Sequence, residues 1–289
     1  VAVQQDDVTL CALPDDSGCL ALYDSQDTLL AVWAYGDSVV ILGSDRGDET
    51  VTIDLHGFVA NPYEISFSGG QGGYDRLILR GTSSFAAENL AVTPDSGTIR
   101  LTNGQATTTV AFDGLEPSVY FEGFGHVGNS GVLSYGNSPA ILNTESWSQD
   151  SGATLEVEIG GTTPGPGTPL DNGFDQINVT NQAILDGILQ ITLINNFVPT
   201  AGQTFDILTF GTVSGSFDEI RGPFDFADSG LYFELDLLED RLQLVVRELP
   251  EGEDLHITTA ATNRMEDAVA GLADYADELL DNLVLGTPD

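Results

Sequence analysis

The sequence predicts an all-β fold: an irregular right-handed parallel β-helix with a hairpin region at its N-terminus and a short α-helix at its C-terminus. Three observations predict it. Short segments alternate apolar with polar residues at the two-residue period of a strand. Gly, Asn and Pro separate these segments at uneven intervals, which suits irregular rungs better than a propeller or a strict repeat array. Each segment is apolar on one face only, so it needs neighbours stacked along it before that face is dry.

The pattern is clearest over residues 151–220, in TLEVEI, QINVT, ILQITLI and TFDILTF. Leu155, Val157 and Ile159 fall on one face of the first segment, and Thr154, Glu156 and Glu158 on the other. Ile177 with Val179, and Phe205 with Ile207, repeat the scheme. Asn195-Asn196 and Ala201-Gly202 supply bends, because Asn and Gly tolerate left-handed backbone angles.

Three parts follow in order: 1–42, N-terminal strands acting as a cap, with a hairpin at Cys11 and Cys19; 43–248, the solenoid; and 249–289, a linker and an amphipathic helix. Cys11 and Cys19 flank a Pro-Asp-Asp-Ser-Gly turn that brings two antiparallel strands together, so they read as a hairpin-closing disulfide or as two buried thiols. Residues 43–58 join an acidic turn to an alternating strand. They contain Arg46-Gly47-Asp48, which spells the integrin tripeptide and reads first as a polar turn bent at its Gly.

In residues 65–81, Gly70-Gln71-Gly72-Gly73-Tyr74-Asp75-Arg76-Leu77 resembles one turn of the Gly-rich nonapeptide that binds Ca²⁺ in parallel β-rolls of the RTX type. That resemblance implies a calcium site at Asp75, Gly70 and Gly72, with the glycines letting carbonyls converge and Asp75 giving a carboxylate. A bare Gly-rich turn is the other reading, since Gln71 replaces one glycine and only one copy is present. Residues 85–150 continue with strands at TIRLTN, TTTVAFDG, SVYFEGFG and GVLSYGN. Over 221–248, two strands flank Leu238-Glu239-Asp240 as a hairpin. From Asn263 the period changes. Met265, Val269, Leu272, Tyr275, Ala276, Leu279 and Leu283 recur three or four apart, and Asn263 with Glu266 forms a capping pair. This helix can shield the edge of the last rung or dock on another chain.

The run Gly160–Asp175 ahead of Gln176-Ile177-Asn178-Val179, continued by LDGILQITLINNFVPTAGQTFDILTFGTVSGSF, resembles rungs of large bacterial surface proteins with autotransporter-passenger-like or filamentous-adhesin-like β-helices. The resemblance implies a scaffold at the bacterial cell surface or outside the cell. It departs from the autotransporters in ending on a helical stretch where they carry a membrane barrel.

Composition narrows the partners. Among 289 residues there are 45 Asp plus Glu and 8 Arg, with no Lys, giving a net charge of −37. Such a field repels nucleic acid and anionic lipid and attracts cations, calcium among them. It also serves solubility alone. No apolar run is long enough to span a bilayer. Starting at Val1, with Met265 its only Met, the chain reads as a processed product or part of something longer.

For catalysis the candidates are few. Carboxylates abound without discriminating, and His126, in the Gly-rich FEGFGHVGNSG, is the histidine to watch, either as a general base or as a hydrogen-bonded turn residue. Trp33, Tyr35, Trp147, Tyr120, Phe121 and Phe124 can form a glycan-stacking platform or belong to the core. The expectation is a non-enzymatic structural or adhesive β-solenoid of a coat, matrix or filament, with no catalytic residue assigned. Its partners are expected to be further copies of itself, other surface proteins or glycans. The alternative is a calcium-dependent carbohydrate-active β-helix enzyme or a glycan-binding module.

Overall fold

The computed structural model describes residues 7–13, 18–44, 47–58, 63–70, 72–104, 106–116, 119–136, 139–167, 172–223 and 230–249. The predicted helix at 263–283 lies outside the described residues, as does Arg46. Among the described residues the chain is all-β and free of helix, arranged in four mixed sheets.

The first sheet runs in the order Val119–Glu122, Arg76–Arg80, Thr50–Asp54, Asp7–Ala12, Leu20–Asp24, Leu29–Trp33. Its first four strands are parallel and its last three form an antiparallel meander. The second sheet has nine strands: Thr212–Gly215, Gln182–Leu185, Ser146–Gln149, His126–Asn129, Ala86–Asn89, Gly97–Asn103, Ala106–Asp113, Glu64–Ser68 and Ser38–Leu42. Gly97–Asn103 alone runs against both its neighbours. The third sheet stacks Val132–Ser134, Thr154–Ile159, Ile188–Leu193 and Glu219–Arg221 in parallel. The fourth stacks Ile141–Thr144, Gln176–Val179 and Thr204–Thr209 in parallel and ends in the antiparallel hairpin of Arg241–Glu248 with Leu231–Leu237, at the place the sequence puts one.

The order in which the chain visits these sheets is regular where its spacing is not. From Ile141 to Arg221 it passes through the fourth, second and third sheets in that order three times, each time one strand further along. Residues facing each other across parallel pairs are 26 apart at Ser38 and Glu64, 40 apart at Asn89 and Asn129, and 20 apart at Asn129 and Gln149. Insertions are therefore absorbed in the connections, and the register between strands is kept.

Register makes the core. Because side chains alternate across a strand, in-register stacking lines up identical faces into columns. Val8, Val51, Leu77 and Val119 form one column and Leu10, Ile53, Leu79 and Phe121 the next, all buried. Facing them, Val39, Ile65, Val110 and Ile99 continue into Asn89, Asn129 and Gln149, so an apolar column turns into a column of amides inside the core. Under the third and fourth sheets, Phe205 packs edge-on against Phe174, Phe197 and Phe233, with ring centroids 5.4, 6.3 and 5.9 Å away.

The amides bind the corner where the chain leaves the second sheet. Asn89 Nδ2 donates to Asn129 Oδ1 at 2.9 Å and to the Val132 carbonyl at 3.0 Å. Asn129 Nδ2 donates to Gln149 Oε1 at 3.3 Å and to the Thr154 carbonyl at 3.0 Å. Gln149 Nε2 ends the series on the carbonyls of Ala153, Asp186 and Ile188. The corner is tight enough to need glycine at Gly131, where an added Cβ would stand 2.2 Å from the Ala91 carbonyl oxygen. Gly131→Ala is therefore expected to lower the denaturant midpoint by an amount equivalent to about 1–3 kcal/mol, the range for overpacking.

Candidate functional site

The sequence-predicted acidic turn is part of a stair of carboxylates. Three loops, each entering a strand of the first sheet, carry Glu49, Asp75 and Glu116. The Glu116 carboxylate accepts the Asp75 backbone N–H at 2.8 Å, and the Asp75 carboxylate accepts the Glu49 N–H at 2.9 Å. Glu49 takes the Ser44 hydroxyl on Oε1 at 2.5 Å. Both Glu49 and Asp75 are buried, and the nearby Glu49 carboxyl favours the protonated form of Asp75. Burial pushes the Asp75 carboxyl up to about 7, reinforced by the Glu49 carboxyl and the Glu116 charge and opposed by the Glu49 N–H.

Gly70, with φ 112°, and Gly72 lie in the turn just before Asp75. Gln71 lies outside the described residues. Among the described residues no three His, Cys, Asp or Glu side chains gather as a metal centre requires. The inward-turned Asp75 accepts the Glu49 N–H of a neighbouring loop.

A second buried carboxyl is one that sequence reasoning passed over. Asp175 accepts the Ala140 N–H on Oδ1 at 2.7 Å and the Glu158 N–H on Oδ2 at 2.8 Å, tying the third sheet to the start of a fourth-sheet strand. Burial pushes it up to about 8, against the pull of both N–H groups. The signal available was Phe174-Asp175, an acid between two apolar strand residues, Phe174 and Ile177.

Cys11 stands opposite Ala21 in the first hairpin, so Cys19, whose carbonyl accepts the Leu13 N–H at 3.0 Å, lies diagonally from it. Diagonal neighbours in such a pair are about 7–8 Å apart, slightly beyond the usual reach of a disulfide. The structure does not join the two sulfurs.

His126 is placed differently from expectation. It opens the strand His126–Asn129 rather than sitting on a turn. The glycines before it serve close stacking: a Cβ on Gly125 would come within 2.1 Å of the Ser83 carbonyl oxygen. Ser146 Oγ donates to the Gly125 carbonyl at 3.0 Å, which spends its only hydrogen, so the 3.0 Å contact with His126 Nδ1 must be an Nδ1–H donation. Nε2 is then the acceptor for the Ser148 hydroxyl at 3.2 Å. Burial lowers the His126 pKa, opposed by the Glu88 charge, and the ring is neutral at pH 7. The strand is hydrogen-bonded on both edges, which leaves no convergent N–H groups for an oxyanion.

Of the two readings of the aromatics, the core is the one most of them take. Trp147, Phe121 and Phe124 are core residues, and Trp33 and Tyr120 pack partly against the core. Tyr35 alone of the six stands well out, 56% exposed. It lies at the lip of a cleft of about 500 Å³ lined by Asp37, Ser38, Tyr63, Glu64, Thr107 and Thr109 on the outer face of the second sheet. A neighbouring cleft of about 340 Å³, lined by Leu42, Ser66, Ser68, Ala111 and Asp113, continues along the same strands. Small side chains on two adjacent strands create this trough. No helix among the described residues is long and apolar enough to cross a membrane. Compared with protein-family models and with curated proteins, the sequence matches none of them.

Proposed function

We propose that this chain is a β-solenoid scaffold, an irregular right-handed parallel β-helix that works outside the cell or on a bacterial cell surface as part of a coat, matrix or filament. The observation that carries this reading is the triple passage through three sheets in one order, with the register of its parallel strand pairs kept. Such an arrangement gains stability by length and offers long flat faces in place of an enclosed substrate site. The net charge of −37 keeps those faces apart from anionic polymers and draws cations to them. No catalytic role is assigned. Micrographs of native material test the proposal: fibres, sheets or a surface layer are expected, and isolated particles that depolymerise a polysaccharide would overturn it.

The glycan-binding alternative is favoured by one feature, the trough beside Tyr35. In glycan-array binding, a module of that kind loses its signal in Tyr35→Ala, whereas a pure scaffold has no signal to lose.

Export carries the Cys11–Cys19 bridge with it, and forming the bridge requires the hairpin end to close by about 1–2 Å. Alkylation of unreduced native protein is expected to modify neither cysteine, and two adducts would remove the bridge from this proposal. Calcium enters at Asp75, Gly70 and Gly72, as the cation that would replace the proton on Asp75. Melting with and without chelator tests it, and an unchanged transition removes it.

A further inference from the structure

Thirteen large apolar side chains stand exposed among the described residues, and six of them fall within residues 29–42: Leu29, Leu30, Val32, Tyr35, Val40 and Leu42. They lie on and between two consecutive strands, Leu29–Trp33 and Ser38–Leu42, each the last strand of its sheet. So dense an apolar patch marks a contact surface. Leu29–Trp33 is hydrogen-bonded along one edge only among the described residues, to Leu20–Asp24. A bulge opposite Tyr23 breaks its alternation, and the adjacent Leu29 and Leu30 are 51% and 39% exposed. The inward columns of the first sheet run out on this strand: Leu20 and Leu22 are buried, and their partners Trp33 and Ala31 are half-buried. In a chain whose residues are 18% charged, the nine from Thr28 to Gly36 include no Asp, Glu or Arg, and no Pro. Neither charge nor proline blunts this edge.

We propose that a second copy of this chain covers Leu29–Trp33, pairing with it antiparallel about a two-fold axis at Ala31. Three features select a second copy. The segment offers no charge for an oppositely charged partner to find, so recognition falls to backbone and apolar contact. Leu-Leu-Ala-Val-Trp is apolar read in either direction, with its smallest side chain at the centre, which makes it complementary to itself across a two-fold axis. An antiparallel neighbour also continues the meander of Asp7–Ala12, Leu20–Asp24 and Leu29–Trp33 by one strand and brings the ends of the inward columns under cover. A two-fold contact closes on itself, so the product is a dimer. The inference rests on the exposed strand and not on a coat, matrix or filament role, so its failure leaves that reading to the micrographs.

Sedimentation velocity of the full chain, from low-micromolar to near-millimolar protein, tests it together with hydrogen exchange. A monomer–dimer equilibrium is expected, and added salt should strengthen it, because two copies of net charge −37 repel until screened. Leu30→Glu and Val32→Glu, both at exposed positions, should each weaken the dimer at least about tenfold. Val92→Glu, which adds the same charge at an 80% exposed side chain outside the patch, should leave it nearly unchanged. Amides of Leu29–Trp33 should exchange more slowly at high concentration than at low. A chain that stays monomeric at every concentration overturns the proposal, and slow exchange of these amides in such a monomer gives the strand to the chain's own remainder. A dimer that survives both patch variants lies on another face, and one that Val92→Glu weakens equally reports charge alone; either result overturns it. So does a dimer in which exchange at Leu29–Trp33 ignores concentration.

Discussion

Lowering the pH from 8 to 5 is expected to raise the melting temperature of this chain, against the usual direction for a protein rich in carboxylates. The cause lies in Asp75 and Asp175, raised to about 7 and about 8 in the folded state. An unfolded Asp titrates near 3.9. Between that value and 7–8 the folded chain holds protons that the unfolded chain has released, so stability falls as pH rises. The contribution is fully present below about pH 4 and is lost through pH 7–8; for the two groups together it is on the order of a few kcal/mol. Relief of self-repulsion at a net charge of −37 adds in the same direction.

Two substitutions separate this account from a general charge effect. Asp75→Asn puts a permanent N–H donor opposite the Glu49 carboxylate while its amide oxygen still accepts the Glu49 N–H. It should stabilise the protein at pH 8 and flatten the pH profile. Asp175→Asn has no such outlet, because both Asp175 oxygens receive backbone N–H groups and an amide nitrogen must face one of them. It should cost about 1–3 kcal/mol at pH 8. Differential scanning calorimetry from pH 4.5 to 8.5 reads both. A melting temperature that climbs with pH across this range, or an Asp75→Asn protein weaker than its parent at pH 8, would end the account of a protonated Asp75.

How much of this was legible in the sequence depends on how far each feature reaches. The strands around 151–220 were readable because alternation is local: Thr154–Ile159, Gln176–Val179, Ile188–Leu193 and Thr204–Thr209 lie where the pattern puts them. His126 was misplaced because glycine has two uses, reversal of the chain and close approach of backbones, and at Gly125 stacking decides. Trp147, between Ser146 and Ser148, faces inward by the same alternation, in keeping with the core reading of the aromatics. The pairing of Glu49 with Asp75 spans a whole passage of the chain, and no local pattern encodes it. The amide column left a trace in Asn89-Leu-Ala-Val and Asn129-Ser-Gly-Val, the same word at two strand ends. Read locally, both are turns.

That column is where the largest single loss is expected. Asn129→Ala removes the acceptor for Asn89 Nδ2 and the donor to Gln149 Oε1 and the Thr154 carbonyl, and it takes the Gly131 N–H's acceptor with it. Asn89 and Gln149 are buried, so the side-chain groups it abandons there cannot turn to water. A stranded buried polar group costs about 1–3 kcal/mol, and the vacated space adds to that, for a loss of about 3–4 kcal/mol by urea denaturation. Leu185 follows Gln149 in the same column, and there the corner is held without an amide, so an apolar residue is sterically acceptable at this place in the fold. The difference is that Leu185 abandons no partner. Replacing Asn89, Asn129 and Gln149 together by Leu should therefore cost less than the sum of the three single changes, because each removal strands a group that the next removes. Additive losses would mean the three amides act independently, each tied to its own turn, and the corner would then be held by backbone packing at Gly131 and not by the column.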